Sequence, residues 1–242
     1  MRAPVPQRAV PHAPLATFTL RRGRVSASQA DALERLWPAY GVDVDGTPLE
    51  LDALFGRRAA VVLEIGSGMG EATAQAAAAD PGRDVLAVDV HTPGHGNLLK
   101  LAEAAGLANV RVADGDARVL LRDMLGPGVL EEVRVWFPDP WPKARHAKRR
   151  LLTADFLALV ASRLRPGGLL HVATDWQPYA AQVAAALAAA PELELVSTER
   201  PPSRPTTRFE RQGRAAGRAS FDLLARATPA SGGAPSSARP GS

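Results

Sequence analysis

Between residues 59 and 190 short apolar runs alternate with helix-forming stretches, a pattern that admits few architectures. AAVVLEI (59–65), DVLAVDV (84–90), NVRVAD (109–114), VRVWF (133–137) and LLHVATD (169–175) read as strands. Between them lie EATAQAAAA (71–79), NLLKLAEAAG (97–106), ARVLLRDML (117–125) and LLTADFLALVASRLRPGG (151–168), the last stopped by Pro166 and two glycines. QPYAAQVAAALAAA (177–190) is a further helix, and LELVST (193–198) and ASFDLLA (219–225) complete a set of strand candidates. Strands and helices of these lengths imply right-handed βαβ crossovers. The predicted fold is α/β: a Rossmann-like, doubly wound, seven-stranded sheet, mostly parallel. No helix is predicted between the last two strands, so the final strand is expected to run antiparallel. Ahead of the sheet, SASQADALERLW (26–37) begins with a capping Ser26 and is expected to end at Pro38.

Residues 1–16 and 228–242 are rich in Pro, Ala, Ser and Gly and read as mobile tails around one domain at 17–227, with a short N-terminal helical extension. The chain is 242 residues long and 46% hydrophobic, enough for one substantial core. It has no cysteine, which excludes disulfides, thiol nucleophiles and thiolate zinc sites and suits a cytoplasmic location. No apolar run approaches the roughly 20 residues of a membrane span. Arg2 and Arg8 precede no apolar segment, so a signal peptide is not predicted. The net charge is only +4, but cations gather at 143–150 and 200–218. Local clusters of this kind speak of a polyanionic partner more than the total does.

In a doubly wound sheet, ligands bind beyond the C-terminal strand ends, where the strand order reverses. After the first strand comes Glu64-Ile-Gly66-Ser-Gly68-Met-Gly70, a GxGxG spacing distinct from the GxGxxG of dinucleotide sites. Asp89 ends the second strand, where a carboxylate can accept ribose hydroxyl bonds, and Asp116 follows the third, where it can meet an adenine edge. A pyrophosphate would favour a helix N-terminus free of carboxylates. Glu64 and Glu71 flank these glycines instead, which suits a cationic cofactor. The arrangement resembles the class I methyltransferases, implying S-adenosyl-L-methionine; the LRPGG turn at 164–168 matches that class too.

The fourth strand runs into FPDPWPKARHAKRR (137–150), and here the chain resembles the bacterial tRNA (guanine-N7)-methyltransferases, whose stretch reads FPDPW followed by K-x-R-H-x-K-R-R. RRGR (21–24), EIGSGMG (64–70), VHTPGHG (90–96), ATDWQPY (173–179) and TRFERQG (207–213) fall in the family's order, so the resemblance covers about 18–226. It implies cofactor contacts at Glu64, Asp89, Asp116 and Asp139, with the glycines Gly66, Gly68 and Gly70, and catalysis at Asp139. It further implies substrate contacts at Lys143, Asp175, Thr207, Arg208, Phe209 and Glu210. RNA contacts would come from Arg145, His146, Lys148, Arg149 and Arg150. The implied reaction is methylation of guanine N7 in tRNA, at position 46 of the variable loop. Asp89 and Arg208 stand where many relatives carry Glu and Lys, and both retain their charge.

The residues support this independently. Five of residues 143–150 are Lys or Arg; at the start of a helix such cations would oppose its dipole, a cost easier to understand if RNA phosphate offsets it. The six arginines of 200–218 are a second, weaker RNA candidate, because arginine is this chain's usual cation. Other constellations carry less. His91 and His95 have helical metal-ligand spacing, but Pro93 and Gly94 intervene, and a loop beside the cofactor is expected with no metal. Asp139 and Asp175 could be read as a glycosidase pair, against which stand the glycine loop and the basic run. Trp136 is expected in the core; Trp141 and Trp176 are either core or a base-stacking surface. An oxidoreductase and a non-catalytic RNA-binding module are the competing function classes. No membrane and no obligate protein partner are implied.

Overall fold

The computed structural model describes residues 23–229. The expected tail at 1–16 lies outside them, as does that at 228–242 except for its first two residues; Thr228 is tied to Glu192 O and Pro191 O at 3.0 and 3.1 Å. Among the described residues eight strands form one sheet: β1 (Gly41–Asp43), β2 (Ala60–Ile65), β3 (Arg83–Asp89), β4 (Val110–Asp114), β5 (Leu130–Trp136), β6 (Leu164–Thr174), β7 (Leu193–Ser197) and β8 (Phe221–Ala227). Their order is β1-β4-β3-β2-β5-β6-β8-β7, with β8 antiparallel to both neighbours and the other pairings parallel. The antiparallel final strand agrees with the sequence reading, whereas the count is eight rather than seven. The extra strand, Gly41–Asp43, pairs with Val112–Asp114 and is too short and polar to signal itself by alternation.

The strands are apolar because both faces are covered. Along β2, Val61, Leu63 and Ile65 enter one core layer, with Leu86 and Val88 of β3. Val62 and β3's Val85 and Ala87 enter the other. The first layer is closed by Phe156, Leu157 and Val160 of α6 (Ala154–Arg163) and by Tyr179, Val183 and Leu187 of α7 (Gln177–Ala188). The second is closed by α1 (Ala27–Tyr40), α3 (Glu71–Ala79) and α4 (Thr92–Ala105). Full burial of one of these Leu or Phe side chains contributes about 1.5–3 kcal/mol. Two short helical segments complete this region, α2 (Leu51–Phe55) and α5 (Ala117–Val119), the latter widening to π geometry over Leu120–Met124.

Several boundaries differ from expectation. α1 has its Ser26 capping box but continues through Pro38 to Tyr40. A proline in the last turn removes one backbone bond, yet α1 continues along α4, with Arg35 forked onto Glu103 at 2.7 and 3.0 Å. α4 starts at Thr92, five residues early, because Pro93 sits in the first turn, where its missing N–H costs nothing. α6 ends at Arg163, and LRPGG belongs to β6, passing through a bulge at which Gly167 has φ +79°. Finally, α8 (Arg208–Ala215) lies between β7 and β8, where no helix was expected.

Candidate active site

The chain reverses direction across the sheet between β2 and β5, and a cavity of about 440 Å³ opens at their C-terminal ends. The glycine loop after β2 forms one wall. Gly66 and Gly68 have φ of +82° and +59°, and nothing lies within 4 Å of where a Cβ would stand, so the loop offers bare backbone to the cavity. Gly70 plays a different part: it caps α3 with φ +79°, and a Cβ there would meet Leu98 at 2.6 Å. It is not among the lining residues.

Glu64 lines the cavity while only 4% exposed. Its Oε1 accepts a bond from Thr73 Oγ1 at 2.8 Å, whereas Oε2 is buried without a partner. Burial pushes its carboxyl above the usual range, and Arg134, opposite it in the β2–β5 register, and Thr73 only partly offset this. Such a group is incomplete until a cation or donor reaches it. Asp89 is held by three backbone donors: Gly68 N to Oδ2 at 2.8 Å, and Val90 N and His91 N to Oδ1 at 2.7 and 3.1 Å. A carboxylate has about four acceptor sites, so about one is left open on Asp89. Asp116 caps α5 through Oδ1, which accepts from Arg118 N at 2.8 Å, and it also faces the cavity.

The opposite wall is the loop after β5. Phe137 and Trp141 bracket Pro138-Asp139-Pro140 with φ of +53° and +44°, the only non-glycine positive values among the described residues. Left-handed aromatic residues are strained by about 1–3 kcal/mol each and persist where surroundings impose them, commonly at functional sites. Arg150 imposes part of it, donating to Pro140 O at 2.8 Å, to Trp141 O at 3.3 Å and to Gln182, with its guanidinium 5.3 Å from the Tyr179 ring. Asp139 thereby lines the cavity with Trp136, Phe137 and Pro138.

The basic run does not begin α6. Ala144–Arg149 is a separate 3-10 helix, and α6 starts four residues after Arg150, capped by Thr153 and with Asp155 in its first turn. The anticipated clash with the α6 dipole is therefore absent; the cations occupy a projecting turn. Lys143, Arg145 and Lys148 are exposed on it. Arg149 stacks on Trp141 at 4.4 Å, and His146 meets the same indole edge-on at 5.8 Å. Partial burial and the charges of Arg145, Arg149 and Lys143 hold His146 below its usual pKa.

The third wall is α8. Thr207, Arg208, Phe209 and Gln212 line the cavity, and Phe209 is 44% exposed. Glu210 turns away into the protein, 1% exposed and paired with arginines. Asp175 also lies off the cavity: its Oδ2 accepts from Arg218 Nε at 2.8 Å, and a Cβ at Gly213 would meet that oxygen at 2.9 Å. The geometry gathers Glu64, Gly66, Gly68, Asp89, Asp116, Asp139, Thr207, Arg208 and Phe209 around one space. It leaves Gly70, Asp175 and Glu210 behind the walls. Of the six arginines at 200–218, Arg200, Arg204, Arg214 and Arg218 are engaged in ion pairs.

Sequence reasoning overlooked Trp136, Phe137, Leu151 and Gln212 as lining residues. Gln212 had a signal, its i+4 spacing from Arg208, but only once a helix is known to lie there. Trp136 is buried as expected and yet faces the cavity. His95 lies within α4 after all, with His91 as its N-terminal flank. Its ring is buried against Trp37, Nε2 is 3.2 Å from Asp89 O, and burial lowers its pKa. Among the described residues no group of three His, Cys, Asp or Glu could hold a metal.

A family model described as "Putative methyltransferase" matches residues 58–223. The chain is 58% identical over 215 residues to a tRNA (guanine-N(7)-)-methyltransferase of Streptomyces avermitilis, covering 87% of this chain and 74% of that protein. A protein of the same name from Nitrosospira multiformis is 48% identical, with 89% of this chain and 96% of the relative covered. Among solved structures, the 16S rRNA methyltransferase KamB superposes with a TM-score of 0.56 at 21% identity, over 74% of this chain and 93% of that one, a likeness of fold. Identity of this extent, over most of each relative's length, places the chain in the tRNA (guanine-N(7)-)-methyltransferase family.

Proposed function

We propose that the chain transfers a methyl group from S-adenosyl-L-methionine to N7 of guanine in tRNA, at the variable-loop position 46. The observation that carries this reading is the cavity's two-sided chemistry. One side has bare glycine backbone, a buried unpaired Glu64 oxygen and anchored carboxylates at Asp89 and Asp116. The other has Arg208 and an exposed Phe209, and an exposed basic turn follows the Asp139 loop in the chain. The acidic side fits a cofactor bearing an ammonium, a sulfonium, a ribose and an adenine. When bound, S-adenosyl-L-methionine supplies an electrophilic methyl group.

Guanine N7 has a free lone pair and no proton, so the chain needs no general base. Its residues position the base and stabilise the positive charge that develops on the methylated ring. Asp139, on the strained loop, supplies that negative charge. N7 lies in the deep major groove of duplex RNA, which favours a loop or extruded base, and the exposed Phe209 ring offers such a base a stacking face. Lys143, Arg145 and Lys148 would meet the phosphates, and a tRNA substrate sets the place of work in the cytoplasm. The test is mass-spectrometric nucleoside analysis of tRNA incubated with protein and cofactor. 7-Methylguanosine at position 46 is expected; its absence there refutes the reading.

A further inference from the structure

Behind the cavity walls lies a set of buried charges with no part in methyl transfer as set out so far. Arg204 is 3% exposed, Asp222 3% and His171 4%. Arg204 Nη1 donates to Glu210 Oε2 at 2.8 Å, and Nη2 donates to Asp222 Oδ2 at 3.3 Å. Arg204 Nε stands 2.8 Å from Asp222 Oδ1, near enough to pair though not aligned for a hydrogen bond. That oxygen is also 2.8 Å from His171 Nε2. From the solvent side, Arg214 and Arg200 reach Glu210 Oε1 at 2.6 and 3.3 Å.

The network backs two walls. Glu210 directly follows Thr207, Arg208 and Phe209 on α8. The Arg204 guanidinium lies 5.6 Å from the Phe137 ring, at the start of the strained loop that carries Asp139. The His171 ring meets Trp136 edge-on at 5.5 Å and 75°. One buried guanidinium therefore touches the Asp139 wall and the α8 wall at once, and reaches Trp136 through Asp222 and His171. A buried ion network is weak as a source of stability, since well-packed apolar groups often serve as well. Its planar fork, by contrast, fixes the angle and separation of everything it binds.

We propose that Arg204 is a positioning residue for methyl transfer, setting the Phe137–Asp139 loop against Thr207–Phe209 so that the guanine sits in line. The inference rests on the proposed methyl-transfer function. It predicts a defect in the chemical step with cofactor binding spared, because Arg204 reaches Glu210, Asp222 and Phe137 rather than the glycine loop, Asp89 or Asp116.

The test uses the full chain with Arg204→Lys, which keeps the charge and loses the fork, and Glu210→Gln, which keeps the shape and removes one charge. Single-turnover 7-methylguanosine formation is measured at saturating cofactor and tRNA, beside S-adenosylhomocysteine affinity and melting temperature. A misplacement near 1 Å can cost about 10²-fold in rate. For Arg204→Lys a fall of at least about tenfold is expected, with cofactor affinity within about threefold of wild type. Glu210→Gln should show the same pattern at lower amplitude. A folded Arg204→Lys with a rate within about threefold of wild type overturns the proposal, as does a rate loss matched by lost cofactor affinity. Failure of both variants to fold overturns it too, by making the network a folding element. A wild-type chain that forms no 7-methylguanosine refutes the methyl-transfer reading itself, before any variant is compared.

Discussion

Gly94→Ala should damage cofactor binding although residue 94 is not among the cavity's lining residues. Gly94 packs the first turn of α4 against the glycine loop: a Cβ there would stand 1.8 Å from Gly68 O and 2.9 Å from Gly68 C. Real Cβ atoms essentially never come closer than 3.0 Å, so the two backbones must part by roughly 1 Å or more. Neither can yield cheaply, because both atoms met are backbone and α4 is held on its other side by Gly96, whose Cβ would meet Gln29 O at 2.8 Å. Overpacking of this kind costs about 1–3 kcal/mol, which for a chain of this size lowers the melting temperature by about 2–4 °C per kcal/mol. Displacement also breaks the 2.8 Å bond from Gly68 N to Asp89, a charge-assisted contact of about 1.5–3 kcal/mol. The dissociation constant for S-adenosylhomocysteine should therefore rise by about tenfold or more. Titration calorimetry with a parallel melt checks both effects. Gly82→Ala is the control, since its Cβ would meet only Asp80 Oδ1, at 3.5 Å. Unchanged affinity and melting temperature in Gly94→Ala would refute the claim that α4 sets the glycine loop.

Three further predictions concern the chemistry. Asp139→Asn keeps the shape of a group meant to stabilise developing charge, so the single-turnover rate should fall about 10²–10³-fold; a change within about threefold would make Asp139 a scaffold residue. Replacing Lys143, Arg145 and Lys148 with Ala should flatten the salt dependence of tRNA binding by about 0.7–0.9 for each phosphate no longer neutralised, and an unaltered slope would remove this turn from the interface. Burial raises the Glu64 carboxyl, and a cation bound beside it must lower it again. The free protein then holds a proton that the complex does not, so affinity should climb as pH rises between the bound and free values and level off above them. Calorimetry in buffers of different ionisation enthalpy should detect proton release, and a binding enthalpy independent of buffer throughout the acid range would refute it.

Sequence by itself determined the alternating α/β plan, because strands buried on both faces must be apolar runs and their crossovers must be helices. It also determined the acids at successive strand ends, since ligands in such sheets sit there whatever the loops do. Features set by distant partners were not legible. Gly41–Asp43 is a strand through its pairing with the edge of β4, and α1 runs on through Pro38 while packed along α4. Glu210 and Asp175 belong to motifs that pointed to substrate, yet their placement depends on which face of α8 the fold turns inward, and their arginine partners lie up to 43 residues away. Arg204 looked like one cation among six in a weaker RNA-contact candidate. Its neighbours in sequence say nothing of Asp222, His171 or Phe137, and only tertiary packing brings their charges and rings around one buried guanidinium.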